Sequence, residues 1–168
     1  MKLTYALREG HLSHVSKVER GLQCNCTCPC CGQRLIARKG SKVSHHFAHE
    51  GAECSHGFET VLHIMAKEIL EQEKRLMLPP VYLFGKEHNE ARLYSDAKLQ
   101  TFDEVVLEKR YSDVIPDIIM RNRGRCLIIE IFVTHEVDEA KLRKIKKSDI
   151  SAIEIDLSLI NDVPSKTN

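Results

Sequence analysis

At 168 residues and 42% hydrophobic content, the chain can bury one ordinary core and has room for little more than a small appended module. A formal net charge of +1 gives no global pull toward nucleic acid. Residues 1–50 are mildly basic, with eight Lys and Arg against three Glu and five His besides, a hint of a phosphate-facing surface at that end.

The longest apolar stretches, such as Cys126 to Val133, are too short to cross a bilayer. The opening residues include Lys2, Arg8 and Glu9 and hold no apolar leader. The expectation is a cytoplasmic protein with no membrane partner. Seven cysteines are an odd number, and the five within Cys24–Cys31 are too crowded for independent disulfides. Thiolate metal ligation in a reducing compartment fits them better.

Leu3 to His14 reads as a short strand or two about a Gly10 turn. After the cysteines, Arg34–Lys39 and Lys42–Ala48 flank Gly40-Ser41, the pattern of a β-hairpin. From Phe58 to about Leu76 the pattern is helical, with Phe58, Leu62, Met65, Ala66 and Ile69 on one face, Ser55 as a start signal and Pro79-Pro80 as a stop. Strands are expected at Val81–Phe84, Leu93–Ala97, Asp103–Lys109 and Val114–Met120, with a turn over Gly85–Asn89 and an interruption at Pro116. The run Leu127–Val133 is strongly β, Val137–Lys147 a basic helix, and Ala152–Leu157 a last strand; Asn161–Asn168 reads as a polar tail. This order predicts a mixed α/β layer arrangement.

Cys28-Pro-Cys30-Cys31-Gly32 contains a C-x-x-C-G turn, which lets two thiolates converge on one tetrahedral metal. Two further ligands are available past the hairpin, in His45-His46-Phe47-Ala48-His49 and Cys54. The favoured Zn²⁺ set is Cys28, Cys31, His49 and Cys54, with His46 as the main substitute and Cys24 and Cys26 as second choices. Four protein ligands close the site, so its role is structural, ordering a region too small to fold on its own core.

A single acid interrupts each of two apolar runs, Asp117 in Ile115-Pro-Asp-Ile-Ile119 and Glu130 in Ile128-Ile-Glu-Ile-Phe132. Burying a carboxylate among isoleucines is costly unless it is paired or binds a cation. Two such acids on neighbouring strands suit Mg²⁺ or Mn²⁺, which can hold a phosphate and activate water for phosphodiester hydrolysis. Asp113 lies on a less apolar flank and reads as a surface residue. Glu59, His63 and Lys67 share one helix stripe at i, i+4 and i+8, along the border of the apolar face.

Taken together, Cys24-x-Cys26-x-Cys28-Pro-x-Cys31-Gly32, Leu35-Ile-Ala-Arg-Lys-Gly40, His45-His-Phe-Ala-His49, Cys54, Glu59-Thr-x-x-His63 and Ala66-Lys67 resemble the amino-terminal half of CoiA-like proteins. Further on, Pro116-Asp117, Ile129-Glu130-Ile131, Val133-Thr-His135, Val137-Asp138, Lys141 and Ile153–Leu157 resemble the nuclease core of the same group, so the likeness spans roughly residues 5 to 158. The resemblance implies a PD-(D/E)XK, restriction-endonuclease-like mixed β-sheet flanked by helices. On that reading a zinc-binding β-hairpin module covers 1–55, the nuclease core 56–160 and a flexible tail 161–168. It implies DNA as the substrate, Asp117 and Glu130 as metal ligands, and Glu59 and His63 as helix-borne active-site residues, in DNA uptake, processing or defence against foreign DNA.

One departure matters. The usual E-x-K pattern places Lys at position 132, where this chain has Phe132. The residue that orients the attacking water would then be Lys141, Lys67 or His135. Arg34, Arg38, Lys39 and Lys42 are candidates for touching backbone phosphates. Sequence specificity in so short a chain would call for a homodimer or a targeting protein. The rival expectations are a catalytically inactive, zinc-stabilised nucleic-acid-binding or adaptor module, and a hydrolase using the Cys and His ligands catalytically.

Overall fold

The computed structural model describes residues 2–52, 54–84, 91–134 and 137–161. It is a mixed α/β chain dominated by strands, in two compact units: Met1–Ala66 with Ile131–Val137 and Ile155–Asn168, and Lys67–Glu130 with Asp138–Glu154. Among the described residues no helix is long and apolar enough to cross a membrane.

In the first unit, β1 (Tyr5–Arg8), β2 (His11–His14), β3 (Gly21–Thr27), β4 (Arg34–Arg38) and β5 (His46–His49) form a sheet in the order β2-β1-β3-β4-β5. Arg8 pairs with His11 across a two-residue turn in which Glu9 (φ 52°) and Gly10 (φ 81°) are both left-handed. That is the backbone a tight hairpin with the native strand twist requires. β4 alternates with period two, burying Leu35 and Ala37 and exposing Arg34 and Arg38. β3, which its Cys and Asn content did not announce, buries Cys24 and Cys26 and undergoes a register shift between Gly21 and Cys26. The expected strand from Lys42 is shorter than its pattern suggested and begins only at His46.

α1 runs Gly57–Glu73 and buries Val61, Leu62, Met65 and Leu70; Ile69, expected on that face, is exposed. The helix stops well before Pro79. Lys74 adopts a left-handed φ of 49° and its N–H bonds the Leu70 carbonyl, a helix C-terminal cap that turns the chain into a strand.

In the second unit, β6 (Arg75–Leu78) pairs with β9 (Lys98–Thr101), and β7 (Val81–Phe84) with β8 (Ala91–Ser95). These are two short antiparallel ladders along one ribbon. The predicted turn at Gly85–Asn89 lies outside the described residues. The main sheet has the order β10 (Glu104–Leu107), β11 (Ile118–Asn122), β12 (Arg125–Phe132), β13 (Ser151–Asp156). Its central strands bury consecutive residues, Ile118 to Met120 and Ile128 to Ile131, so both faces are covered. Pro116, which has no N–H to give a ladder, falls just before β11 rather than inside a strand beginning at Val114.

α2 (Glu139–Lys147) is capped by Asp138, whose carboxylate accepts from the Lys141 amide at 2.8 Å, and carries Lys144, Lys146 and Lys147 in its last turn. Both ends therefore complement the helix dipole. Its one buried residue, Ile145, packs with Val114, Ile128 and Ile150, which fixes the helix on the sheet.

Candidate metal centre and carboxylate site

The turn after β3 is tied by Gly32 N–H to the Cys28 carbonyl at 2.9 Å and by Cys28 N–H to the Gln33 carbonyl at 2.8 Å. Gly32 takes a φ of 71°, open to glycine at no steric cost. The β4–β5 hairpin then sets His49 opposite Leu35, at the strand end nearest this turn. As a result one ligand atom from each of Cys28, Cys31, His49 and Cys54 lies within 4.8 Å of the others. This is the favoured set from ligand spacing, and it can hold a metal ion such as zinc.

Two observations test the fit. His49 Nε2 is buried and makes no hydrogen bond, which is the condition of a ring nitrogen reserved for a metal. The Cys28 thiol is pushed up to about 11, first by burial, with the backbone amides of Cys31 and Cys30 working in the opposite direction. A cation would supply the charge that turns such buried thiols into thiolate ligands. Three sulfurs and one imidazole form a closed structural donor set for zinc.

The alternatives fall elsewhere. His46 Nδ1 lies 2.9 Å from the Ser44 carbonyl and is outside the cluster. Cys24 and Cys26 face the core; Cys24 Sγ donates to the Leu35 carbonyl, and burial followed by the neighbouring Cys24 pushes the Cys26 thiol up to about 12. They behave as small buried hydrophobes. Beside the cluster, a cavity of about 510 Å³ is lined by His46, His49, Cys54, His56 and Glu59 among others. Glu59 Oε2 sits 3.2 Å from His56 Nδ1. His63 is half-buried on α1.

The carboxylates belong to the second unit. β11 pairs Ile118 with Ile129, so the register carried one residue further sets Asp117 opposite Glu130. On its other side Asp117 is opposite Glu108, whose N–H donates to the Asp117 carbonyl at 3.0 Å. Three acids therefore stand in one row across three neighbouring strands. Lys67 Nζ bridges two of them, 2.8 Å from Glu108 and 3.0 Å from Asp117. Lys141 Nζ donates to Glu130 Oε2 at 2.7 Å.

Glu130 is 3% exposed, and its second oxygen, Oε1, is buried without a hydrogen-bond partner. Burial raises its pKa above the usual carboxylate range, the Lys141 ammonium opposes that, and the Asp117 charge adds to it. For Lys67, burial works against the charge, but its bonds to Glu108 and Asp117 outweigh it and raise the ammonium pKa. Two acids and two lysines expected from the sequence are thus brought together. Asp113 is exposed, in the turn before Val114. His135 lies outside the described residues.

The hairpin cations are less available than their spacing suggested. Arg34 is 3.5 Å from Glu50, and Lys39 donates to the carbonyls of Ser16 and Val18. Sequence reasoning missed Glu108 and His56, the partners of Lys67 and Glu59. Glu108 directly follows the apolar run Val105-Val-Leu107, and only the pairing of β10 with β11 brings it beside Asp117.

Fold and site together define a mixed α/β protein with a candidate four-ligand metal centre in one unit and a lysine-paired acid row in the other. Residues 11–57 match the family described as Competence protein CoiA, N-terminal domain. The matched stretch contains all four cluster residues and ends before Asp117 and Glu130, so the similarity to that family covers the candidate metal centre and not the acid row. No curated protein and no solved structure matches the chain.

Proposed function

We propose that the protein is a Mg²⁺- or Mn²⁺-dependent DNA nuclease with a structural zinc, serving a competence-related role in DNA uptake or processing. The observation that carries this reading is Glu130: a carboxylate inside an apolar strand, with one oxygen on Lys141 and the other buried and unpartnered. Such a group is costly to a fold that makes no use of it. The order α1, β10, β11, β12, α2, β13 is consistent with a restriction-endonuclease-like core, with the β6–β9 ribbon as an insertion.

Glu130 and Asp117 would hold the divalent ion, since paired hard oxygens are the donors these ions take. Bound there, it supplies positive charge to a phosphate and acidifies a water. Lys141 takes the part of the lysine absent at Phe132. It reaches Glu130 from α2 and keeps a donor beside the carboxylate for a phosphate oxygen or the attacking water. Lys67 stays charged between Glu108 and Asp117 and holds Asp117 in place.

The test is cleavage of single- and double-stranded DNA by the zinc-loaded protein with added Mg²⁺ or Mn²⁺. Asp117→Ala and Glu130→Ala should abolish cleavage, and Lys141→Ala should reduce it by about 10²-fold or more. Glu59→Ala and His63→Ala in the same assay probe the roles the resemblance gives them. If wild type cleaves no DNA, the protein is instead a zinc-stabilised binding module, a reading that Phe132 favours.

A further inference from the structure

The end of the main sheet remote from the acid row is cationic and hollow. β11 and β12 are joined by a two-residue turn in which Arg123 (φ 47°) and Gly124 (φ 77°) are both left-handed, and Asn122 pairs with Arg125 across it. So tight a turn gathers Arg121, Arg123 and Arg125 at one hairpin tip. Beside the tip lies a cavity of about 690 Å³, lined by Arg123, Arg125, Asn122 and Gln100 together with the half-buried Leu78 and Leu127.

Among the described residues no acid lines this cavity. The acids nearest the tip are engaged: Asp103 Oδ2 accepts from the Arg123 amide at 2.8 Å, and Glu104 Oε2 lies 2.7 Å from Arg121 Nη1. The guanidinium groups of Arg123 and Arg125 are exposed and, among the described residues, make no ion pair. We infer that this groove holds a single-stranded stretch of the DNA on which the acid row acts, with Arg123 and Arg125 on its phosphates. The naming of DNA rests on the nuclease reading above.

The chemistry of the lining selects such a strand. Both unpaired cations are arginines, whose planar fork binds phosphate oxygens bidentately and stacks on bases, as an ammonium does not. Around them stand amides and leucine side chains, groups that meet the edges and faces of unpaired bases; a duplex keeps those bases inside and offers a groove of this kind mainly its backbone. The groove and the acid row also share β11 and β12 within one unit. The five residues of β11 separate them, roughly 17 Å at about 3.3 Å per strand residue. A polymer with a phosphate at every repeat can occupy both places at once.

The test is fluorescence anisotropy of a labelled single-stranded DNA oligonucleotide with the full zinc-loaded chain, without Mg²⁺ or Mn²⁺ so that binding is read apart from cutting. The double variant Arg123→Gln with Arg125→Gln should weaken binding by about tenfold or more and reduce the slope of log affinity against log salt by about 1.4, the share of two phosphate contacts on a single strand. Zinc content and far-ultraviolet circular dichroism should be unchanged. Arg143→Gln with Lys146→Gln removes the same charge from α2 and should bind nearly as wild type does. The inference is overturned by a groove variant with unchanged affinity and slope, by an equal loss in the α2 variant, by tighter binding of the matching duplex, or by polyglutamate bound in preference to DNA. A wild type that cuts no DNA while the groove variant loses binding removes the nuclease reading and leaves the groove; cleavage by wild type with binding intact in the groove variant does the reverse.

Discussion

Glu130 carries two opposing demands in one side chain. Its burial disfavours the ionised form, and Lys141 favours it; burial is the larger effect and the pKa is raised from 4.5. A group with a raised pKa in the fold contributes its full share of stability below the unfolded value and loses it as pH rises through the folded value. Glu130→Gln is neutral at every pH and escapes that loss. Lys141, whose side chain is 28% exposed, can be hydrated when its partner goes. The melting temperature of Glu130→Gln should therefore match wild type near pH 4 and exceed it increasingly toward about pH 7. A difference that stays constant or shrinks with rising pH would count against a strained, buried carboxylate. Asp117 is less buried, at 21% side-chain exposure, and is served by Lys67.

At the scale of elements, α2 is the device that delivers Lys141. Asp138 accepts from the Lys141 amide itself, so the cap acts on the same residue whose ammonium reaches Glu130. Asp138→Ala should cost about 1 kcal/mol of stability and loosen the first turn that aims Lys141 at Glu130, whereas Asp138→Asn should hold both. Chemical denaturation of the three proteins in parallel gives the comparison, and an alanine variant as stable as wild type would deny the cap its part. This arrangement also explains what could be read from the sequence. The E-x-K pattern that the resemblance implies has Phe132 in place of its lysine, and of the three named replacements Lys141 is the one whose ammonium reaches Glu130. The metal set was legible because a C-x-x-C-G turn and a hairpin of known length leave few ways to reach four ligands. The end of α1 was not legible. Leu76, Met77 and Leu78 continue an apolar pattern that reads as helix, and only the left-handed Lys74 together with pairing to Lys98–Thr101 makes them a strand. β3 was missed because its buried side chains are cysteines, and Glu108 because its place depends on a strand pairing no local pattern contains.

On the scale of the whole molecule, a candidate metal centre and a row of acids, with different chemistry, fall in two different units. The Cys28, Cys31, His49 and Cys54 set is sulfur-rich and closed, and a metal there would fasten segments separated by as much as 26 residues, Cys28 to Cys54, in a unit whose sheet core mixes the small side chains of Ala6, Cys24, Cys26 and Ala37 with Tyr5, Leu35 and Phe47. The acid row is all oxygen, and its strands are held by Ile118, Ile119, Ile128 and Ile129, large aliphatics that need no metal to pack. A chelator selective for zinc should therefore unfold the first unit locally before it affects the second. Hydrogen exchange read by peptide is the measurement. After chelation, protection should fall across residues 21–57, where β3, β4 and β5 converge on the cluster, while peptides covering Ile118–Asn122 and Leu127–Glu130 keep theirs. Cys31→Ser should reproduce the chelated pattern in protein that has never been stripped, because an exposed cysteine contributes little to the core and its loss reports ligation alone. Equal protection with and without metal in residues 21–57 would show that the cluster forms through packing and that zinc does not hold this unit together.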